Sequence, residues 1–251
     1  MPRTRSEQEA IARNITLAFE GKGLTQATGN FDGQGWSLGG LQWNFGQGTL
    51  QPLILAMEKE GPKTFRELLT VTHQGNVYEL AAPLLEACRI PKAKAIAWAD
   101  ARCWGNRKQH LVEPWRTGIA ALLAHKGMQE VQVRAMKAYM DDARADCAFY
   151  GLNTVRDLAL FHDIAVQNGR GKVGKLSDPD TRRAFESRGG MSLSPEKRRL
   201  AIALAVADTC NPRWRADVHS RKATIVHGAG MVHGRQYNLA QLFGPLDEVL
   251  V

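Results

Sequence analysis

Apolar residues at helical spacing dominate this chain, and one segment breaks the pattern: Phe19 to Leu50, FEGKGLTQATGNFDGQGWSLGGLQWNFGQGTL. Before it, Ile11, Ile15 and Phe19 recur every four residues. Ser6 and Glu9 have capping-box spacing, so a helix is predicted from about Ser6 to Glu20. Gly21 and Gly23 stop it. Gly29 to Asn44 is the one stretch that reads as extended, a small β-hairpin or sheet. Further on, Met136, Tyr139, Met140, Ala143, Cys147 and Tyr150 form an apolar stripe that Gly151 ends. Asn153 or Thr154 can cap the next helix, which carries Leu158, Phe161 and Ala165 to a stop near Gly169. Ser194-Pro195 opens another through Leu200, Leu204 and Ala207. With 251 residues, 44% of them hydrophobic, the chain can bury a large core without disulfides. No repeat or linker divides it. The expected fold is mainly α, a two-lobed α-rich domain over residues 1–251, with a small sheet near 29–44 and a cleft between lobes.

The same segment carries the chemistry. Glu20 closes the first helix beside Phe19, and Asp32 follows in a glycine- and aromatic-rich loop with Gly29, Gly33 and Gly35. Cleaving a glycosidic bond takes two carboxylates, one to protonate the leaving oxygen and one to activate water or hold developing charge. A carboxyl partly withdrawn from water at a helix end suits the first role. Trp36 and Trp43 offer flat apolar faces of the kind that stack on sugars. From these residues alone a second reading stays open: a helix with a solvated final glutamate, then a Gly/Asn/Asp hairpin turn.

The pattern F-E-G followed by D-G-x-G-W-S (Phe19 to Gly21, Asp32 to Ser37) resembles the catalytic region of the family-46 chitosanases, members of the lysozyme-like superfamily. The resemblance implies Glu20 as general acid and Asp32 as general base, with Ser37, where the family has threonine, positioning the attacking water. The run GLQWN (Gly40 to Asn44) is similar to a strand of goose-type lysozymes and lytic transglycosylases. Gln42, Trp43 and Asn44 in this run, together with Trp36, are the candidate substrate-binding residues. Two weaker blocks follow in family order, Leu158 to Gly169 and Arg215 to Gly230. They imply a salt bridge of Asp163 with Arg221 behind the catalytic glutamate, with Arg198 or Arg199 as a third member. The Glu-to-Asp spacing is shorter here than in those chitosanases.

Charge directs the choice of substrate. The chain has 33 Lys+Arg against 25 Asp+Glu, a formal net charge of +8. A field of that sign draws an anionic polymer and repels chitosan, a polycation. Peptidoglycan glycan strands, with muramyl carboxylates and acidic stem peptides, are therefore the expected partner. Chitosanase, lytic transglycosylase and non-catalytic wall binder are the alternatives. Nucleic acid is not expected, since the basic residues are spread and no nucleic-acid motif is present. No segment reaches the roughly 18 apolar residues of a membrane span, and MPRTRSEQEA lacks a signal-peptide core. The expectation is synthesis in the cytoplasm and action in the periplasm or cell wall after holin release or injection. An immunity protein or delivery machinery would then be further partners. Neither cofactor nor metal is expected: His219, His227 and His233 lack ligand spacing. Cys88, Cys103, Cys147 and Cys210 form no CxxC pair, and Cys147, on an apolar face, reads as a buried free thiol.

Overall fold

The structure is a computed structural model and describes residues 3–21, 23–170 and 176–251. In chain order its elements are α1 (Arg5–Phe19), β1 (Ala27–Thr28), β2 (Ser37–Leu38), β3 (Trp43–Asn44), α2 (Leu50–Glu60) and α3 (Pro62–Leu68). Next come β4 (Thr70–His73), β5 (Asn76–Glu79), α4 (Ala81–Ala87), α5 (Lys92–Asp100), β6 (Cys103–Trp104), β7 (His110–Leu111), α6 (Trp115–Ala124) and α7 (Lys126–Phe149). The last are α8 (Val155–Asn168), α9 (Pro179–Glu186), α10 (Pro195–Thr209), α11 (Arg215–His227), β8 (Ala229–Val232), β9 (Arg235–Asn238) and α12 (Leu239–Phe243). The mainly α class holds, with a small sheet in the segment where one was expected. The chain divides into two compact units, Met1–Phe19 with Lys137–Val251, and Glu20–Met136. The divisions fall inside α7 and between Phe19 and Glu20.

In the first unit the capping box of α1 lies two residues earlier than the sequence suggests. Thr4 N–H donates to Glu7 Oε2 at 2.7 Å and Glu7 N–H to Thr4 Oγ1 at 3.4 Å. Glu9 instead takes ion pairs from Arg5 (2.9 Å) and Arg144 (2.6 Å). The helix ends at Phe19, so Glu20 stands in the turn just beyond it, where Gly21 takes φ +97°. Ala12, Ile15 and Phe19 share one core with Leu158, Phe161, Ile202, Val206 and Ile225. Thr154 caps α8 in a full capping box with Asp157. The Met140, Ala143, Cys147 and Tyr150 stripe is buried as expected, and all four cysteines are free.

The second unit is built around aromatics. Trp36 lies 5.0 Å from Trp98, 5.2 Å from Trp115 and 6.1 Å from Phe45, ring centroid to centroid, and its indole N–H donates to Ala99 O at 3.1 Å. Large rings in such edge and tilted packing bury much apolar area, and their loss from a core costs about 3–5 kcal/mol. The strands β1, β2 and β3 pair antiparallel with Thr28 opposite Ser37 and Ser37 opposite Asn44. Buried Gln132 on α7 pins this sheet's surroundings: it accepts from Gly40 N–H at 3.0 Å and donates to Leu24 O at 3.0 Å.

Three hairpins were not expected: β4–β5, β6–β7 and β8–β9. Two-residue turns with both central φ values positive are signalled most strongly by Asn-Gly. Here Gln74-Gly75 and His233-Gly234 take that conformation, at φ 49° and 77° and at 51° and 75°. The backbone conformation is the hairpin's, while the residue signal is muted.

Candidate active site

Glu20 is half-buried and follows a tightly held helix end. The Phe19 ring sits edge-on to Tyr237 at 5.1 Å and under the Arg221 guanidinium at 5.6 Å. The Phe19 carbonyl lies 3.0 Å from His233 Nδ1, and Ala18 O accepts from Tyr237 Oη at 2.8 Å. Arg221 is fixed in turn by Asp163. Its Nη2 reaches Asp163 Oδ1 at 2.5 Å, while Lys222 Nζ takes Oδ2 at 2.7 Å and also donates to Gln167 Oε1 at 2.5 Å. Asp163, Arg221 and Lys222 are all buried. Burial alone would raise the Asp163 pKa, but the two cations outweigh it and bring it to about 2. Burial lowers Lys222 to about 8, with Asp163 opposing that shift.

The expected Asp163–Arg221 pair is therefore present, and its third member is Lys222. Arg199 pairs with Asp157 at 2.5 Å, and Arg198 donates to the carbonyls of Tyr150, Met191 and Leu193. Lys222 was missed because an Arg-Lys dipeptide reads as solvated charge. A buried lysine is rare, and a carboxylate shared with Arg221 is what makes this one tolerable.

Asp32 is exposed on its loop, where Oδ1 accepts from Gln34 N–H at 3.1 Å. Asn30 closes that loop: Oδ1 accepts from Gly35 N–H at 2.7 Å, and Nδ2 donates to Asp100 Oδ1 at 2.8 Å. Gly29 N–H donates to Gln109 O at 3.0 Å, and a Cβ at Gly29 would collide with the Lys108 carbonyl. Glycine is thus required for the β6–β7 hairpin to approach the Asp32 loop. Ser37 lies in the middle strand, 1% exposed.

The tryptophans depart from expectation. Trp36 is 0% and Trp43 6% exposed, so neither presents a face for sugar; both are core residues. Asn44, 4% exposed, spends its side chain on the turn, donating to Gln42 O at 3.2 Å and accepting from Gln47 N–H at 2.8 Å. It shapes the loop rather than meeting a ligand. Gln42 does face open space. With Gln26, Thr28, Phe31, Arg107 and Gln109 it lines a cavity of about 400 Å³ in the second unit. The exposed aromatics of this unit include Phe31, the chain neighbour of Asp32, and Trp104, whose ring packs 4.9 Å from His110. Trp104, Arg107 and Gln109 belong to the hairpin that the sequence did not reveal. Among the described residues no group of three His, Cys, Asp or Glu side chains could hold a metal ion.

No family model matches the sequence, and no curated protein matches it. In structure it is similar to the native chitosanase of Bacillus subtilis MY002, with a TM-score of 0.61 over 94% of this chain and 98% of that one, at 16% identity. A Glu→Ala variant of that chitosanase, complexed with 6 GlcN, matches with the same score, coverage and identity. The chain has the α-rich, lysozyme-like fold of these enzymes.

Proposed function

We propose that this chain is a glycoside hydrolase that cleaves the peptidoglycan glycan strand with water, a muramidase. The observation that carries the reading is the pair of carboxylates on a fold shared with a chitosanase: Glu20 in the turn just past the end of α1, and Asp32 on a loop closed by Asn30. In the proposed reaction the Glu20 carboxyl gives its proton to the glycosidic oxygen as the C1–O bond breaks. Asp32 takes a proton from the water whose oxygen bonds to C1, and Ser37 orients that water. The exposed, wetted setting of Asp32 suits a base acting through water, so the product is expected with inverted configuration. The Asp163–Arg221–Lys222 cluster serves by fixing the Phe19 end from which Glu20 projects.

The net charge of +8 favours an anionic glycan. Chitosanase is the second reading, favoured by the activity of the structural neighbour, itself a chitosanase. Digestion of purified peptidoglycan and of chitosan, with product analysis by NMR and mass spectrometry, tests both. Hydrolytic muramic-acid ends of inverted configuration are expected; anhydro ends would mean a transglycosylase, and turnover of chitosan alone would reverse the substrate. Glu20→Gln should lose about 100- to 10,000-fold in turnover with its fold and wall binding intact. Asp32→Asn should be severely impaired and Ser37→Ala reduced but measurable. Glu20→Gln activity within a few-fold of the parent would remove the acid from the scheme.

A further inference from the structure

The cavity beside the Asp32 loop is polar and carries a cation. Three glutamines, Gln26, Gln42 and Gln109, share its lining with Thr28, Phe31 and Arg107. Arg107 is the charged member of that lining, and its guanidinium has no ion pair among the described residues. The hairpin that carries it is well fixed. Gln109 Oε1 accepts from Arg107 N–H at 3.0 Å, Gly29 N–H donates to Gln109 O, and the neighbouring Lys108 pairs with Asp100 at 3.6 Å. Lys108 is therefore engaged elsewhere, and the fork of Arg107 is left to meet what enters. A guanidinium matches a carboxylate with two parallel N–H···O bonds. Glutamine amides and a threonine hydroxyl are the partners that sugar hydroxyls and acetamido groups take. Phe31, 40% exposed and next to Asp32, adds an apolar wall.

We propose that this cavity is a subsite for a muramyl residue, in which Arg107 binds a carboxylate carried on the sugar's lactyl ether. The inference rests on the peptidoglycan reading above and adds to it the residue that selects the anionic sugar. The same carboxylate chemistry occurs on the lactyl group of peptide-stripped strands and on the stem peptide of intact strands.

Three substrates separate these cases: stripped strands with free lactyl carboxylates, the same strands with those carboxyls converted to neutral methylamides, and peptide-bearing strands. KM and kcat are measured on each with the parent and with R107A, an exposed position whose replacement leaves the core untouched. A charge-assisted pair lost from a partly wet site is expected to raise KM by about 10- to 100-fold, with kcat little changed. That ratio should appear on the free-carboxylate strands and fall toward one on the methylamide strands, because the two changes remove the same interaction. A ratio confined to peptide-bearing strands would assign the carboxylate to the stem peptide and overturn the lactyl contact. Equal ratios on all three would overturn the subsite while leaving the muramidase reading in place. A parent that cleaves none of the three, yet cleaves chitosan, would overturn both.

Discussion

Asp146 offers a quantitative test of the physics in the first unit. It lies on α7 at 0% exposure, and neither carboxylate oxygen has a hydrogen-bond partner among the described residues. Burial, and then the charge of Asp142 one turn away, raise its pKa from 3.8 to about 7. The unfolded chain ionises this group near pH 4, whereas the folded chain keeps the proton until about pH 7. Between those values the native state binds more protons, so stability falls as pH rises through the window and levels off above it. A gap of about 3 pH units at about 1.4 kcal/mol each sets a ceiling of about 4 kcal/mol. Asp146→Asn removes the titration. Any cost of burying the amide is constant with pH and cancels from the pH dependence. The stability of the variant relative to the parent should therefore climb by up to about 4 kcal/mol between pH 4 and pH 8, or about 8–16 °C in Tm for a chain of this size. Urea unfolding of both proteins at intervals across that range reads the difference directly. Parallel curves for parent and variant would refute the assignment of a neutral, unpaired Asp146 to the folded state.

Two further outcomes follow from the charges. Asp163→Ala leaves Arg221 and Lys222 buried without their shared carboxylate and should destabilise the chain by about 3–5 kcal/mol in urea unfolding, whereas a change at exposed Arg183 should lie within about 0.5 kcal/mol. If the +8 charge serves attraction to an anionic wall, lysis of cell-wall suspensions should weaken as added salt shortens the Debye length from about 10 to about 3 Å; a flat response would return chitosan to first place.

What the sequence revealed, it revealed through local rules. The stripe ending at Gly151, the Thr154 cap and the helix through Ser194-Pro195 each depend on residues within a few positions of one another, and each is present. The Asp163–Arg221 pair came from resemblance, since nothing local links residues 58 positions apart. Long-range packing was hidden. Whether Trp36 faces sugar or core depends on Trp98 and Trp115, which share no local pattern with it. The β6–β7 hairpin was hidden for another reason: two-residue strands are too short to show alternation, so nothing in the pattern singles out Trp104, Arg107 or Gln109.

The two carboxylates are held in opposite ways, and the difference fits their proposed roles. Glu20 is one peptide bond from Phe19, whose ring and carbonyl are met by Tyr237, Arg221 and His233, and Arg221 is itself a member of a buried ion cluster. A proton donor must meet the leaving oxygen at hydrogen-bond distance, and a misplacement of about 1 Å can cost two orders of magnitude in rate. Burying Asp163, Arg221 and Lys222 together stabilises little by itself, because desolvation offsets most of the attraction. Apolar residues of similar volume would fill the same space. The cluster's own bonds join α8 to α11, and it meets the end of α1 through Arg221, whose guanidinium lies over the Phe19 ring. Asp32 has no such anchor: its loop is closed by the Asn30 side chain and a few backbone hydrogen bonds, and its carboxylate faces solvent. A base that works through water needs access to that water more than it needs rigidity. The investment in buried charge on the acid's side, and its absence on the base's side, is the arrangement that an acid touching the substrate and a base one water removed would require.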